Sequence, residues 1–152
     1  MLASILSALH LLSLGIGLGA VFARGRALRA LTSGDSSAVG RILFADNLWG
    51  LAAMLWIATG LTRLFGGFDK APGFYYSNGF FWLKMGLFSL VFALEILPMV
   101  TFIAWRGALR RGAAIDARRV PLLVRLNDAE TALVLVIPFA AAAMARGVWL
   151  LA

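Results

Sequence analysis

One apolar stretch constrains the possible folds of this chain more than any other. Residues 80–105 read FFWLKMGLFSLVFALEILPMVTFIAW, which is long enough for a membrane-spanning helix, since about 20 apolar residues suffice. The stretch nevertheless carries Lys84 near its start and Glu95 near its middle. Charged side chains inside a span usually face a bundle interior, so we expect the other spans to surround this one. The alternative for Lys84, about one turn deep, is that its ammonium group snorkels to the headgroups.

The composition excludes a disordered chain and disfavours a soluble globule. Hydrophobic residues make up 62% of the chain, charged residues 14%, and the mean hydropathy is +0.90. The net charge of +7 comes from basic residues just outside the apolar stretches, where lipid headgroups explain it better than nucleic acid does. With no cysteine and one histidine, thiolate sites and multi-histidine metal sites within one chain are excluded.

Three further apolar stretches bring the number of predicted spans to four. The predicted spans are residues 2–22, 42–64, 80–105 and 126–151, with Pro138 expected to kink the last. The connections between them are residues 32–40, 66–79 and 106–125. We therefore predict a single all-α domain over residues 1–152, an integral membrane four-helix bundle of up-down-up-down topology.

The distribution of arginine predicts the orientation of the bundle. The first connection region contributes Arg24, Arg26, Arg29 and Arg41, and the third connection contains six arginines. The second connection has few basic residues. The positive-inside rule therefore places the first and third connections in the cytoplasm and both termini outside.

The second connection carries an aromatic cluster of Phe74, Tyr75 and Tyr76. Aromatic residues at the end of a span usually mark the membrane interface. The alternative is a loop that covers the mouth of the bundle as a lid.

Four polar residues from four different spans fall at one level in the outer half of the predicted bundle. They are His10, Arg63, Lys84 and Arg146. Three cations and one imidazole suit a ligand that carries carboxylates or phosphates. An imidazole in an apolar span near glycines also suits axial ligation of haem iron. The alternative for His10 is a hydrogen bond between helices.

A second polar group gathers at the predicted inner end of the spans. Its members are Asp46, Asn47, Asn127, Asp128 and Glu130. We interpret these residues as structural, because acidic groups at the start of a helix complement its dipole and the adjacent arginines can pair with them.

Three segments carry a resemblance to a known family. ALHLLSLGIGLGA, FADNLWGLAAMLWIATGLTRLF and GFYYSNGFFWLKM resemble the domain-of-unknown-function 2214 family of bacterial membrane proteins, over nearly the whole chain. More distantly, the chain is similar to the HemJ-type protoporphyrinogen oxidases, which are four-span proteins. Their first-span histidine is matched by His10 and their third-span lysine by Lys84, while Asn127 and Asp128 loosely match an Asn-Glu pair.

The resemblance implies a haem-bearing redox protein of the bacterial inner membrane that acts on a porphyrin or another anionic ligand. Haem b would be the cofactor, His10 the iron ligand, and Lys84 a catalytic residue near the substrate or the propionates. The shared level of the outer group adds Arg63 and Arg146 as cofactor-binding cations.

Two other functions remain open from the sequence. One is a non-enzymatic carrier or channel for an anion or a proton, and the other is a structural assembly partner. The interior of so small a bundle offers little room for a large ligand, which favours a homo-oligomer.

Overall fold

The computed structural model describes residues 1–67 and 70–151, so residues 68 and 69 of the second connection and residue 152 lie outside it. Its helices are α1 (Leu2–Thr32), α2 (Ala38–Phe65), α3 (Pro72–Tyr76), α4 (Gly79–Arg110) and α5 (Val120–Ala145). Across the described residues, the only bridge of β type is an isolated one between Asn78 and Leu150. Helices α1, α2, α4 and α5 are long and apolar enough to cross a membrane, which confirms the prediction of an all-α chain with four spans.

The spans differ from the predicted ones at their ends. Helix α1 continues past Arg24 to Thr32, because Ala27 and Leu28 extend the buried stripe at helical spacing. Helix α5 begins at Val120 and ends at Ala145, so the predicted span 126–151 is displaced by about six residues. Helices α4 and α5 continue through Pro98 and Pro138.

The connection between α1 and α2 is a short turn held by Asp35. Its carboxylate accepts hydrogen bonds from the backbone N–H of Ser37 at 3.0 Å and from the Ser37 hydroxyl at 2.6 Å. These bonds, together with the Arg41 guanidinium, lower the pKa of Asp35 below its usual value. The turn thereby brings α2 back against α1.

Side-chain contacts fix the relative directions of α1 and α2. His10, near the start of α1, contacts Thr59 near the end of α2, whereas Arg24 contacts Asp46 near the start of α2. The two helices therefore run in opposite directions. Helix α1 also packs against α5, and α5 packs against α4.

Apolar residues form three clusters along the helices. The first contains Leu28, Phe102 and Trp105 at the end where α1 and α4 finish, and the second contains Val21, Trp49 and Val134. The third contains Tyr75, Phe81 and Met144 near the start of α4. The outward surface is apolar as well, with large exposed side chains on every long helix, as expected of a surface that contacts lipid. Examples are Leu11, Phe44, Phe92 and Phe139.

The second connection packs over one end of the molecule. Tyr75 of α3 is buried, and α3 contacts both α2 and α4. The chain after α5 returns to the same place, where the N–H of Gly79 donates to the Trp149 carbonyl at 2.9 Å. The indole ring of Trp149 lies against Gly79, where a larger residue would overlap it. Tyr75 is therefore packed against protein, in the cluster with Phe81 and Met144.

Candidate functional site

Arg24 is the centre of a charged network that lies between the four long helices. Its side chain has no exposed surface, and all five of its N–H groups are donated. Nε donates to Asn127 Oδ1 at 2.8 Å, and Nη1 donates to Glu95 Oε1 at 2.8 Å and to Asp46 Oδ1 at 3.2 Å. Nη2 donates to Glu95 Oε2 at 2.9 Å and to Glu130 Oε2. A fully paired guanidinium of this kind is held rigidly in one orientation.

The acceptors come from three other helices. Asp46 belongs to α2, Glu95 lies halfway along α4, and Asn127 and Glu130 lie on α5. The prediction that Glu95 faces protein is confirmed, because its carboxylate binds Arg24 through both oxygens and accepts from Trp49 Nε1 at 3.0 Å. The network thus ties all four spans together at one level.

A second cation binds the edge of the network. Arg106 Nη2 donates to Asp46 Oδ2 at 2.8 Å, to Asn47 Oδ1 at 2.8 Å and to the Leu43 carbonyl at 3.2 Å. The Arg106 side chain is 27% exposed, whereas that of Arg24 is fully buried. Asp46 therefore bridges an inner and an outer guanidinium group.

The network carries an excess of carboxyl groups. Two guanidinium groups, of Arg24 and Arg106, face the carboxyl groups of Asp46, Glu95 and Glu130. Full ionisation would leave one uncompensated negative charge at membrane depth, which is strongly unfavourable. Glu130 Oε1, moreover, has no hydrogen-bond partner among the described residues, although Glu130 is fully buried. One additional proton would make the network neutral.

Two aromatic rings complete the walls around Arg24. Its guanidinium carbon lies 5.9 Å from the ring centre of Trp49 and 5.8 Å from that of Phe102. Such contacts stabilise a desolvated cation. The two rings also exclude water from the sides of the guanidinium group that contact no carboxylate.

Asn127 positions Arg24 from the α5 side. It accepts from Nε and donates through Nδ2 to the Val21 carbonyl at 3.1 Å. Close approach of α1 is allowed by Gly25, because a Cβ there would lie 2.5 Å from Asn127 Nδ2. Gly25 is therefore required by packing and not by backbone conformation.

The interpretation of the inner polar group as helix-dipole partners is wrong for Asp46, Asn127 and Glu130. Neither α2 nor α5 has an acidic residue in its first turn. Asp46, Asn127 and Glu130 lie about two turns or more inside their helices, beyond the reach of the dipole effect. The predicted pairing with arginines is confirmed, because Asp46 and Glu130 bind Arg24 and Asp128 forms an exposed ion pair with Arg29.

His10 lies away from this network and contacts α2. Its Nδ1 is 2.8 Å from Thr59 Oγ1, which is also 2.7 Å from the Leu55 carbonyl and 3.1 Å from the Trp56 carbonyl. The contact joins α1 to α2, which is the hydrogen bond between helices given as the alternative for His10.

Three of the four predicted outer residues lie near one another. The charges of Arg63 and Lys84 both act on His10. Lys84 Nζ lies 4.0 Å from Met144 Sδ and 5.5 Å from the ring centre of Phe81, so its ammonium group rests among apolar side chains. Arg146 follows the last residue of α5 and has an exposed side chain.

A small cavity between α1 and α2 lies between the two polar levels. It has a volume of about 10 Å³ and is lined by Ser13, Gly17, Trp49 and Trp56, among others. This volume holds one water molecule at most, whereas a porphyrin is far larger. Within residues 1–67 and 70–151, no group of three or more acidic or histidine side chains is placed to hold a metal ion.

Sequence reasoning missed Arg24 as a site residue. It treated Arg24 as the first residue beyond the span, together with Arg26 and Arg29. The signal that distinguishes them is helical spacing, because Arg24 shares the stripe of Val21 and Leu28, both buried, while Arg26 and Arg29 are exposed.

The comparison with protein families gives one match. Residues 2–149 match the family described as predicted membrane protein, DUF2214. No curated protein and no solved structure matches the chain. Because the match covers nearly the whole sequence, the chain belongs to the DUF2214 family of predicted membrane proteins.

Proposed function

We propose that this protein is a membrane proton carrier in which Glu95 and Glu130, beside Arg24, take up and release one proton. The observation that carries the proposal is a fully buried arginine bound to three carboxyl groups from three helices. In membrane spans, ionisable groups that face the bundle interior mark ion pathways and proton relays.

The charge balance supports a proton as the transferred species. With one proton bound, two guanidinium groups balance two carboxylates, and with none bound one negative charge is in excess. Glu130 Oε1 is free of hydrogen bonds among the described residues. A proton therefore adds to this oxygen without breaking any bond to Arg24.

Proton flux into liposomes tests the proposal. Purified protein is reconstituted around an entrapped pH indicator, and a membrane potential is applied. We expect the wild-type protein to carry protons and Glu130→Gln to reduce the flux to that of protein-free liposomes. Asp116→Asn, the same chemical change at an exposed position, should retain the wild-type flux. A folded Glu130→Gln variant with wild-type flux would overturn the proposal.

Haem-dependent oxidation of a porphyrin or another anionic ligand is the second candidate, and the placement of His10 near two cations favours it. His10 would be the axial ligand of iron, and Arg63 and Lys84 would face the propionates. A bound haem would supply one-electron chemistry. The cavity of about 10 Å³ does not fit a porphyrin. A haem would therefore have to bind on the outer surface of the helices, between the protein and either lipid or a second copy of the chain.

An absorption spectrum of the purified protein separates the candidates. A Soret band that His10→Ala abolishes would support haem binding, and its absence from fully loaded protein would eliminate this candidate. A purely structural role predicts neither a Soret band nor proton flux.

We further propose the up-down-up-down bundle, with both termini on the periplasmic side of a bacterial inner membrane. The opposite directions of α1 and α2 support the topology. Eight exposed arginines support the orientation, because all belong to the end of the molecule where α1 and α4 finish. They are Arg26, Arg29, Arg41, Arg110, Arg111, Arg118, Arg119 and Arg125.

A further inference from the structure

An open groove runs between α1 and α5 beside the charged network. Its volume is about 210 Å³, which corresponds to several water molecules at about 30 Å³ each. Arg29 and Asp128 form an ion pair at the arginine-rich end of the groove, and both side chains are about half exposed. The opposite end is lined by Leu135.

Polar side chains line the arginine-rich end of the groove, whereas Phe22, Ala132 and Leu135 line the rest of it. Besides the ion pair, Asn127 and Thr131 line it. The Thr131 hydroxyl donates to the Asn127 carbonyl, so its oxygen still accepts from the groove. Charged and polar side chains that face hydrocarbon are unfavourable, so this end of the groove favours water over an acyl chain.

Asn127 is the only lining residue of the groove that bonds to Arg24 among the described residues. Its side chain accepts from Arg24 Nε on one side and contributes to the groove wall on the other. Only 2% of the Asn127 surface is exposed. Asn127 therefore links the groove wall to Arg24.

We propose that the α1–α5 groove is the aqueous access path of the charged network, with Asn127 as its gate. The proposal rests on the proposed proton carrier and names the side from which the proton arrives, the arginine-rich end. Water enters past Arg29 and Asp128. A hydronium ion gives its proton to the free oxygen of Glu130 and leaves as water, and the reverse step releases the proton.

Thiol labelling tests whether the groove holds water. The chain contains no cysteine, so single cysteines are introduced by Leu135→Cys, which lines the groove, and by Val136→Cys, which does not. These neighbours have nearly the same depth and are 48% and 49% exposed. We expect a charged, membrane-impermeant thiol reagent to label position 135 in open membrane fragments and to leave position 136 unlabelled. Equal labelling, or no labelling at position 135 because lipid fills the groove, would overturn the proposal.

Deuterium exchange tests whether the groove serves the network. The infrared band of the protonated carboxyl group, assigned by its loss in Glu130→Gln, is followed after transfer to deuterated water. We expect Ala132→Phe, which fills the groove, to slow the exchange, and Val136→Phe to leave it unchanged. An exchange rate in Ala132→Phe equal to that of the wild-type protein would refute the access path but not the proton carrier. Absence of the band from the wild-type protein would refute the proton carrier instead.

Discussion

Glu95 and Glu130, on the adjacent helices α4 and α5, accept hydrogen bonds from the same nitrogen of Arg24, Nη2. Two acids bound to one donor atom repel each other when both are ionised, and one proton on either of them relieves the repulsion. The proposed proton carrier holds its bound proton on this pair.

Removal of the central cation should destabilise the protein severely. Arg24→Met leaves three carboxyl groups without their shared donor, and breaking a buried ion pair on one side costs about 3–5 kcal/mol. The control is Arg26→Met, on the same helix but exposed, for which a change within about 0.5 kcal/mol is expected. Thermal unfolding in detergent measures both variants.

Combined substitution tests the cause of that loss. Arg24→Met together with Glu95→Gln and Glu130→Gln removes the unpaired charges as well, so part of the stability should return. Equal unfolding temperatures for Arg24→Met and Arg26→Met would show that the network does not support the fold.

Gly25→Ala should displace Asn127. The new Cβ would lie 2.5 Å from Asn127 Nδ2, and the bonds of Asn127 to Arg24 and to Val21 resist its movement. We expect a loss of about 1–3 kcal/mol in the free energy of unfolding. Gly19→Ala is the matched control, since nothing lies within 4 Å of a Cβ there, and alanine in a helix is favoured over glycine by about 1 kcal/mol. Similar stability changes in the two variants would contradict the packing described at Gly25.

Gly79→Ala should detach the segment that follows α5. A methyl group at Gly79 overlaps the indole ring of Trp149, so the backbone bond between these residues cannot persist. Trypsin should then cleave after Arg146 faster than in the wild-type protein, while the four spans stay folded. Gly86→Ala, on the same helix with open space around it, should leave the cleavage rate unchanged. Cleavage at the wild-type rate in Gly79→Ala would mean that this contact does not hold the segment.

Hydropathy and depth predicted much of this architecture. Four spans and an inward Glu95 followed from apolar length and from the cost of a charge in lipid. The partner of Glu95 did not follow, because it depends on how α1 is rotated about its own axis. In the sequence, Arg24 looks like an ordinary arginine at the end of a span. Only the buried positions of Ala27 and Leu28 show that the inward-facing stripe of α1 continues past Arg24. The hydrogen bond between His10 and Thr59 could not be predicted from the sequence either, since it depends on the register between two helices.

Reporter fusions test the proposed orientation. A reporter active only outside the cytoplasm should be active at position 152, which lies outside the described residues, and inactive near Ser36. The reason is that exposed arginines flank the connection that contains Ser36. Activity of a cytoplasm-only reporter at position 152 would reverse the orientation.

Infrared spectroscopy of the wild-type protein and Glu130→Gln at neutral pH tests the central claim most directly. The account predicts a protonated carboxyl band in the wild-type spectrum, because one proton makes the network of Arg24, Arg106 and their three acids neutral. Glu130→Gln should lack this band, since two carboxylates then balance two guanidinium groups without any proton. Asp116→Asn should keep it. A wild-type spectrum with only ionised carboxylates, or a band that persists unchanged in Glu130→Gln, would contradict the account.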